Sequence, residues 1–377
     1  MGFSFGSRPN PVGLDIGTDH VRLAQGKMSG GTFNVTGYGS IALPMGSVVE
    51  GEIVDTEAVA RSIRELMRQA GVRGKPDVAI GVSNQKVVVR LIDLPYMEKS
   101  ELEGAIHYQA QDYVPIPVED AILDFQIIGD YMTPQDEHMM EVLLVAASRD
   151  MIQTAVDVVS DANLKLASID VTTFAIVRAL MEDVPPVLPE AGEVSEATAV
   201  IHISSGITNI AVVEKGVPRF TRVSSLGGSE FTQAIANVLN VTFDEAEAVK
   251  IAVGLPTLEQ EGAPDIPDGM DPDVFTSAQE ALEREANKFI AEVRRSLDYY
   301  LTQTAQIRTI RQILLTGSGS QLKNLAGYLE KGLQAQVLLA DPLSRGRITV
   351  SGSARAALEA DIMGCAPAVG LAMRGPE

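Results

Sequence analysis

The sequence predicts an α/β protein made of two related domains, and three observations carry that prediction. The stretch Val12 to Gln25 reads as a β-hairpin, a second hairpin at Ala199 to Val213 repeats its layout, and each opens a run of strands leading into amphipathic helices. At 377 residues the chain exceeds one core, and at ~150 residues per domain it should hold two or three. Its 30 basic and 50 acidic residues give a net charge of −20, which argues against nucleic acid and against docking on anionic lipid. A lone cysteine, Cys365, excludes an internal disulfide framework and fits a reducing compartment. No apolar run approaches the ~20 residues that span a bilayer, and the N-terminus lacks the regions of a signal peptide. A cytoplasmic protein with no direct membrane insertion is expected. The opening MGFSFG matches a myristoylation signal only loosely, because Gly6 stands where Ser or Thr is required.

In the first hairpin, Val12, Leu14 and Ile16 and then Val21 and Leu23 recur at the spacing of pleated strands. Gly17, two residues after Asp15, allows a tight turn and a close approach to a bound anion. A carboxylate beside a phosphate needs a cation between them, so Asp15 suits Mg²⁺ and its waters. An exposed hairpin with an acidic turn explains the same residues about as well. Phe33 to Leu43 supplies a third strand, and a helix capped by Asp55 carries Val59, Ile63, Leu66, Met67 and Ala70 as one stripe before Gly71. Strands are predicted at Asp77 to Ser83 and Lys86 to Leu94. A capping box of Ser100 with Glu103 then starts a helix stopped by Pro115 and Pro117. Strands at Ala121 to Ile128 and Glu141 to Ala147 follow, then a helix from Ser148 to Ala162, a strand at Lys165 to Ile169 and a helix at Thr172 to Met181.

The proline-rich, acidic stretch Val184 to Glu196 reads as a linker. Beyond it the second hairpin aligns with the first, His202 with Asp15, Ile203 with Ile16 and Ser204 with Gly17. That is the layout of two related domains closing on a ligand, weighed against the plainer possibility that buried hairpins look alike. Val217 to Val223 is a third strand, and the turn Ser225 to Ser229 leads into a helix. Thr242 and Glu245 form another capping box, on a helix where Glu247 and Lys250 share a face, as a salt bridge requires. A flexible loop at Gly254 to Val274 precedes a long helix from about Ser277 to Ala305. Gln312 to Ser320 runs a strand into Gly317-Ser318-Gly319, with a helix predicted from Gln321. Gln336 to Leu339 is the last predicted strand, and Ala366 to Arg374 a terminal helix packed through a small face at Gly370.

This order of parts, from the DIGT hairpin through GGSEFTQAI, A-E-x-x-K and TGSG to AVGLAMRG, resembles the actin-like ATPase superfamily from Val12 to Gly375. Within it the chain is most similar to the PilM family of type IV pilus assembly proteins, relatives of the cell-division protein FtsA. The resemblance implies a ribonuclease H-like two-domain fold with an FtsA/PilM-type inserted subdomain. The first domain is expected at 11–82 and 163–183, the insertion at 83–162, the linker at 184–197, and the second domain at 198–377 with a helical subdomain at 243–305. It further implies ATP with Mg²⁺ between the domains. Asp15, Gly17 and Thr18 match the first phosphate and metal motif, with Arg22 where lysine is more usual, and Thr208 closes the second phosphate motif. Glu247 and Lys250 match the groups flanking the nucleoside, and Gly317, Ser318 and Gly319 the adenosine turn. Ser205, Gly227 and Gly228 fall among the nucleotide contacts, and Asp170 falls near the residue that positions the attacking water.

His202 and Ser204 replace the Asp and Gly of the second phosphate motif, which removes a carboxylate near the metal and adds Cβ atoms beside the phosphate. The resemblance therefore implies binding with slow or absent hydrolysis. It also implies a partner, the cytoplasmic tail of a PilN-like inner-membrane protein in the pilus assembly machinery, with a homo-oligomer as an option. Two other classes share the fold. An FtsA-like filament protein should carry a basic amphipathic helix at its end, where this sequence reads LAMRGPE, and a small-molecule kinase should show a substrate motif.

Overall fold

The computed structural model describes residues 10–182, 195–258, 266–302 and 308–375. The chain folds as two compact units, one of Met1–Ser83, Arg149–Asp183 and Asp341–Glu377, the other of Asn84–Ser148 and Val184–Ala340. The predicted linker lies mostly outside the described residues, as does the MGFSFG segment.

In the first unit β1 (Val12–Ile16), β2 (His20–Ser29) and β3 (Thr32–Ala42) form the predicted antiparallel meander. The short hairpin of β4 (Val48–Val49) and β5 (Glu52–Ile53) leads to α1 (Thr56–Gln69), where the Asp55 side chain accepts from Ala58 N–H at 2.9 Å. Strand β6 (Asp77–Val82) then joins β1 in parallel. The chain passes into the second unit with β7 (Val88–Pro95), α2 (Lys99–Ala110), β8 (Ala121–Met132) and β9 (His138–Ser148), whose three strands form a separate antiparallel sheet in the order β7-β9-β8. Leu102, Ile106 and Ala110 of α2 cover it through Val142 and Leu144. Back in the first unit, α3 (Arg149–Asp161) precedes β10 (Lys165–Val171), parallel to β6, and α4 (Thr172–Leu180).

The second unit continues with β11 (Ser195–Ile203), β12 (Thr208–Glu214) and β13 (Val217–Ser224), again an antiparallel meander. Helices α5 (Gly228–Leu239), α6 (Phe243–Val253) and α7 (Pro272–Thr302) follow. Phe275, Leu282, Phe289, Val293 and Tyr300 place the stripe of α7 in the core. Strand β14 (Arg308–Thr316), α8 (Leu325–Leu333) and β15 (Gln336–Leu339) complete this unit. The chain returns to the first unit with β16 (Ile348–Val350), α9 (Ala354–Ala360) and α10 (Ala366–Ala372).

The sheet orders are β10-β6-β1-β2-β3-β16 and β13-β12-β11-β14-β15. Each runs from the third to the first strand of a meander and then through two strands parallel to that first one, so the internal repeat is real at the level of topology. Asp15 lies opposite Arg22 and His202 opposite Asn209, the same step in both hairpins. This is the mixed α/β architecture that the resemblance implies.

Both faces of the first sheet are covered. Val59, Ile63 and Leu66 of α1 and Val158 and Val159 of α3 pack over Leu14, Leu23 and Ile80. On the opposite face, to which alternate residues point, Ala175 and Leu371 pack on Ala79. There the backbones nearly touch. A Cβ at Gly13 would lie 2.0 Å from the Ala368 carbonyl oxygen, and one at Gly370 1.8 Å from that of Ala175. The small face predicted at Gly370 is therefore where α10 seats on α4.

Several boundaries differ from expectation, among them the start of α7 at Pro272, inside the loop predicted to run to Val274. Helix α3 lies in the first unit because its apolar stripe meets α1, so the insertion ends at Ser148 rather than 162. Residues 341–375 also belong there, since β16 extends the sheet beside β3. In α2 the cap moves earlier, to Glu98, whose N–H donates to the Glu101 carboxylate at 3.2 Å, displacing Ser100 and Glu103. No α-helix starts at Gln321, because Ser318–Gln321 forms a single tight turn and α8 waits until Leu325. Among the described residues no helix is long and apolar enough to cross a membrane.

Candidate functional site

In the second unit three backbone turns converge at the end of β11. The Ser204 hydroxyl donates to the Ile207 carbonyl at 2.8 Å, closing the hairpin turn. The Ser204 and Ser205 carbonyls accept the N–H groups of Gly228 at 2.9 Å and Ser229 at 2.8 Å, so the first amides of α5 hold the hairpin. Gly227 is needed for that approach, because a Cβ there would sit 2.3 Å from the Ser205 oxygen. Gly317, at φ 92°, turns the chain over the hairpin end, where a Cβ would meet the Ile203 oxygen at 2.2 Å. At Gly319 it would meet the Ile203 side chain at 2.5 Å. Thr208 is fully buried and donates to the Leu226 carbonyl at 2.6 Å. Ser204, Thr208, Gly227, Gly317 and Gly319 thus build the scaffold of the site. His202 is buried in the sheet between Asn209 and Thr316.

These turns floor a cavity of ≈ 330 Å³ lined by Gly228, Phe231, Glu247, Lys250, Ser318, Gly319 and Lys323, among others. Ile251, Gln321 and Leu322 also line it. Glu247 and Lys250 do share a face of α6, with Nζ 2.7 Å from the carboxylate. Sequence reading missed Thr232, on the neighbouring α5. Its hydroxyl donates to Glu247 at 2.5 Å and accepts from Lys250 at 2.8 Å, and Lys250 also reaches the Gly228 carbonyl at 3.3 Å. The signal that would have found it is helical spacing, since Thr232 stands one turn after Gly228 and so lies on the same side of α5. A fixed carboxylate and ammonium beside an apolar ring such as Phe231 suit a ribose and base. At Gly228 a Cβ would make only ordinary contacts, 3.5 Å from the Gly319 Cα and 3.6 Å from the Ser204 oxygen. The cavity is of a size that small ligands occupy.

In the first unit the β1–β2 turn is tight, with the Gly17 N–H donating to the His20 carbonyl at 2.9 Å. Asp15 is buried, and burial pushes its carboxyl up to about 6 despite Arg22 opposite. Such a carboxylate gains from a cation. Among the described residues no group of three or more His, Cys, Asp or Glu could hold a metal ion. A single carboxylate fits Mg²⁺, which takes its other ligands from water and phosphate. Thr18 stands in the same turn. The Asp170 carboxylate, buried, lies 2.9 Å from Arg178 and 3.4 Å from Arg374, ion pairs that tie β10 to α4 and to the segment after α10.

The family model for the type IV pilus assembly protein PilM matches residues 13–264, more than half the chain, and that for the cell-division protein FtsA matches 199–359. FtsA of Bacillus subtilis is 26% identical over 270 residues, covering 64% of this chain and 58% of its own length, so the chain spans about three fifths of that relative. A solved PilM–PilN type IV pilus biogenesis complex is similar at a TM-score of 0.77 with 25% identity, over 98% of this chain and 99% of that one. MreB 5 of Spiroplasma citri bound to AMPPNP, at 12% identity and a TM-score of 0.50 over 88% of this chain and 92% of its own, shares the fold alone. With the PilM match spanning both hairpins and the insertion between them, the chain belongs to the PilM family of type IV pilus assembly proteins.

Proposed function

We propose that this chain is a cytoplasmic nucleotide-binding scaffold of the pilus inner-membrane complex, binding Mg²⁺-ATP and the cytoplasmic tail of a PilN-like protein. The observation that carries the nucleotide half is the cavity lined by Glu247 and Lys250, which the buried Thr232 hydroxyl locks together. Glu247 and Lys250 hold the ribose end, and Gly228, Ser318 and Gly319 line its wall. Asp15 is the proposed metal ligand, with Gly17, Thr18 and Arg22 around the phosphates. Bound Mg²⁺ would supply charge neutralisation for the phosphates.

Calorimetric titration of the purified protein tests this reading. Lys250→Ala should weaken ADP and ATP alike by ~10-fold, the scale of one charged contact, whereas Asp15→Ala should weaken only the Mg²⁺-dependent part. Equal loss for Asp15→Ala with and without Mg²⁺ would remove its metal role.

Slow turnover follows from the second hairpin. His202 and Ser204 stand where the resemblance expects Asp and Gly, and a missing positioned acid typically costs ~10²–10⁴ in rate. The double variant His202→Asp with Ser204→Gly should raise ATP hydrolysis at least ~10-fold with little change in affinity. Asp15 shows that this fold tolerates a buried carboxylate at the matching step, although it has Arg22 opposite whereas His202 has Asn209. A folded double variant with an unchanged phosphate-release rate would refute the reading.

The partner half rests on the similarity to the solved PilM–PilN complex. The insertion offers a sheet and helix with their own core, Leu102, Ile106, Val142 and Leu144, that the nucleotide cavity does not use. Excising 84–148 should abolish capture of a PilN-like tail peptide in a pull-down while leaving ADP binding measurable. Capture by a folded deletion variant would place the partner elsewhere.

A further inference from the structure

We propose that Asp361 is a positioning residue for phosphate binding. It holds two guanidinium nitrogens of Arg22 so that the third, Nη1, is presented to the Gly17–Asp19 turn. The proposal rests on the nucleotide reading above.

Adjacent strands and a distant turn meet here: β2 brings Arg22, β3 brings Tyr38, and the turn after α9 brings Asp361. Asp361 Oδ2 accepts from Arg22 Nε at 2.7 Å and Oδ1 from Nη2 at 3.5 Å. The Tyr38 hydroxyl donates to the same Oδ2 at 2.7 Å, which fixes the carboxylate as well as the arginine. The Arg22 side chain is only 7% exposed. Burial works against its charge, yet Asp361 outweighs that and holds Arg22 firmly protonated. Gly364 backs the pair. A Cβ there would lie 2.3 Å from Asp361 Oδ1 and 2.9 Å from Arg22 Nε and Nη2, so the fork is pressed against backbone on that side.

The remaining nitrogen is directed at the turn. A Cβ at Gly17 would lie 3.8 Å from Arg22 Nη1, so that nitrogen borders the loop where a phosphate would meet backbone amides. Asp19, the turn's own carboxylate, lies 3.1 Å from His20 Nδ1. The arrangement also accounts for arginine at a position where the resemblance expects lysine. A guanidinium is a planar fork with five donors and can serve a carboxylate and a phosphate at once. A lysine has one nitrogen, and with Asp361 at 2.7 Å from the present Nε that nitrogen would be drawn to the carboxylate.

Calorimetry on the full chain with ADP and with adenosine separates the roles, with thermal melting to confirm that each variant is folded. Arg22→Lys should lose ~10-fold in ADP affinity with adenosine unchanged, because the lysine pairs with Asp361. Asp361→Asn should also weaken ADP selectively. In the double variant the lysine is released, and ADP affinity should return to within ~3-fold of wild type. A double variant no better than Arg22→Lys, or adenosine falling in step with ADP, would make the pair purely architectural and overturn the proposal. If a charge variant does not fold, Tyr38→Phe decides. It removes one hydroxyl, and a selective ~3-fold loss for ADP supports the proposal while unchanged ADP affinity overturns it. Wild-type protein that binds neither ADP nor adenosine removes the nucleotide reading itself, and this proposal with it.

Discussion

Arg219→Met is expected to destabilise the second unit by ~3–5 kcal/mol, because it breaks a buried ion cluster and leaves the Glu141 carboxylate uncompensated. Arg219, 3% exposed at the side chain, lies 2.5 Å from Glu141 of β9 and 3.8 Å from the fully buried Glu214 of β12. Glu214 is supported further by the Tyr300 hydroxyl at 3.2 Å and by Arg308 at 3.7 Å. Burial already pushes the Glu141 carboxyl up against the pull of Arg219, so losing the arginine strands it. The cluster is also the charged joint between the inserted sheet and β13. Urea unfolding should therefore show the loss, and the double change Arg219→Met with Glu141→Leu should recover most of it, since replacing both partners of a buried pair is often neutral. A single variant within ~1 kcal/mol of wild type would mean that water reaches the cluster and screens it.

Gly370→Val should prevent the first unit from folding, and Gly370→Ala should cost ~3 kcal/mol or more. The obstacle is backbone, not a side chain that can rotate: the new Cβ would fall 1.8 Å from the Ala175 oxygen and 2.5 Å from its carbonyl carbon. Relief needs α10 to lift from α4, which would also stretch the bond from Arg178 to the Gly370 carbonyl, now 2.8 Å. Gly104→Ala is the matched control. It lies in α2 with nothing within 4 Å of a new Cβ, and should stabilise by ~0.5–1 kcal/mol. Far-UV circular dichroism and urea midpoints of the three variants test both expectations. A Gly370→Val protein that folds at wild-type stability would show that α10 is not seated as described.

Features that depend on neighbouring residues were legible in the sequence. The Asp55 cap, the Thr242–Glu245 capping box and both hairpins occur where pattern places them, because each is decided within a few residues by hydrogen bonds and side-chain alternation. The Glu247–Lys250 pair follows from helical spacing in the same way. The helix predicted after Gln321 was not of this kind. Packing of Gly317 and Gly319 over Ile203 draws that segment into a tight turn, and local propensity gives way to it.

By itself, then, the sequence determined the repeated meander, the inserted segment and the residue types of the candidate site, since period, caps and turn chemistry are written locally. Only the tertiary structure decided what those residues touch. Thr232 joins Glu247 to Lys250 across two helices, and Asp361 reaches Arg22 over a separation of 339 positions. Asp170 pairs with Arg178 and Arg374, and residues 341–375 return to extend the first sheet. The physical reason is common to all four: a buried charge or an open strand edge must find a partner, and the partner's distance along the chain leaves no periodic mark.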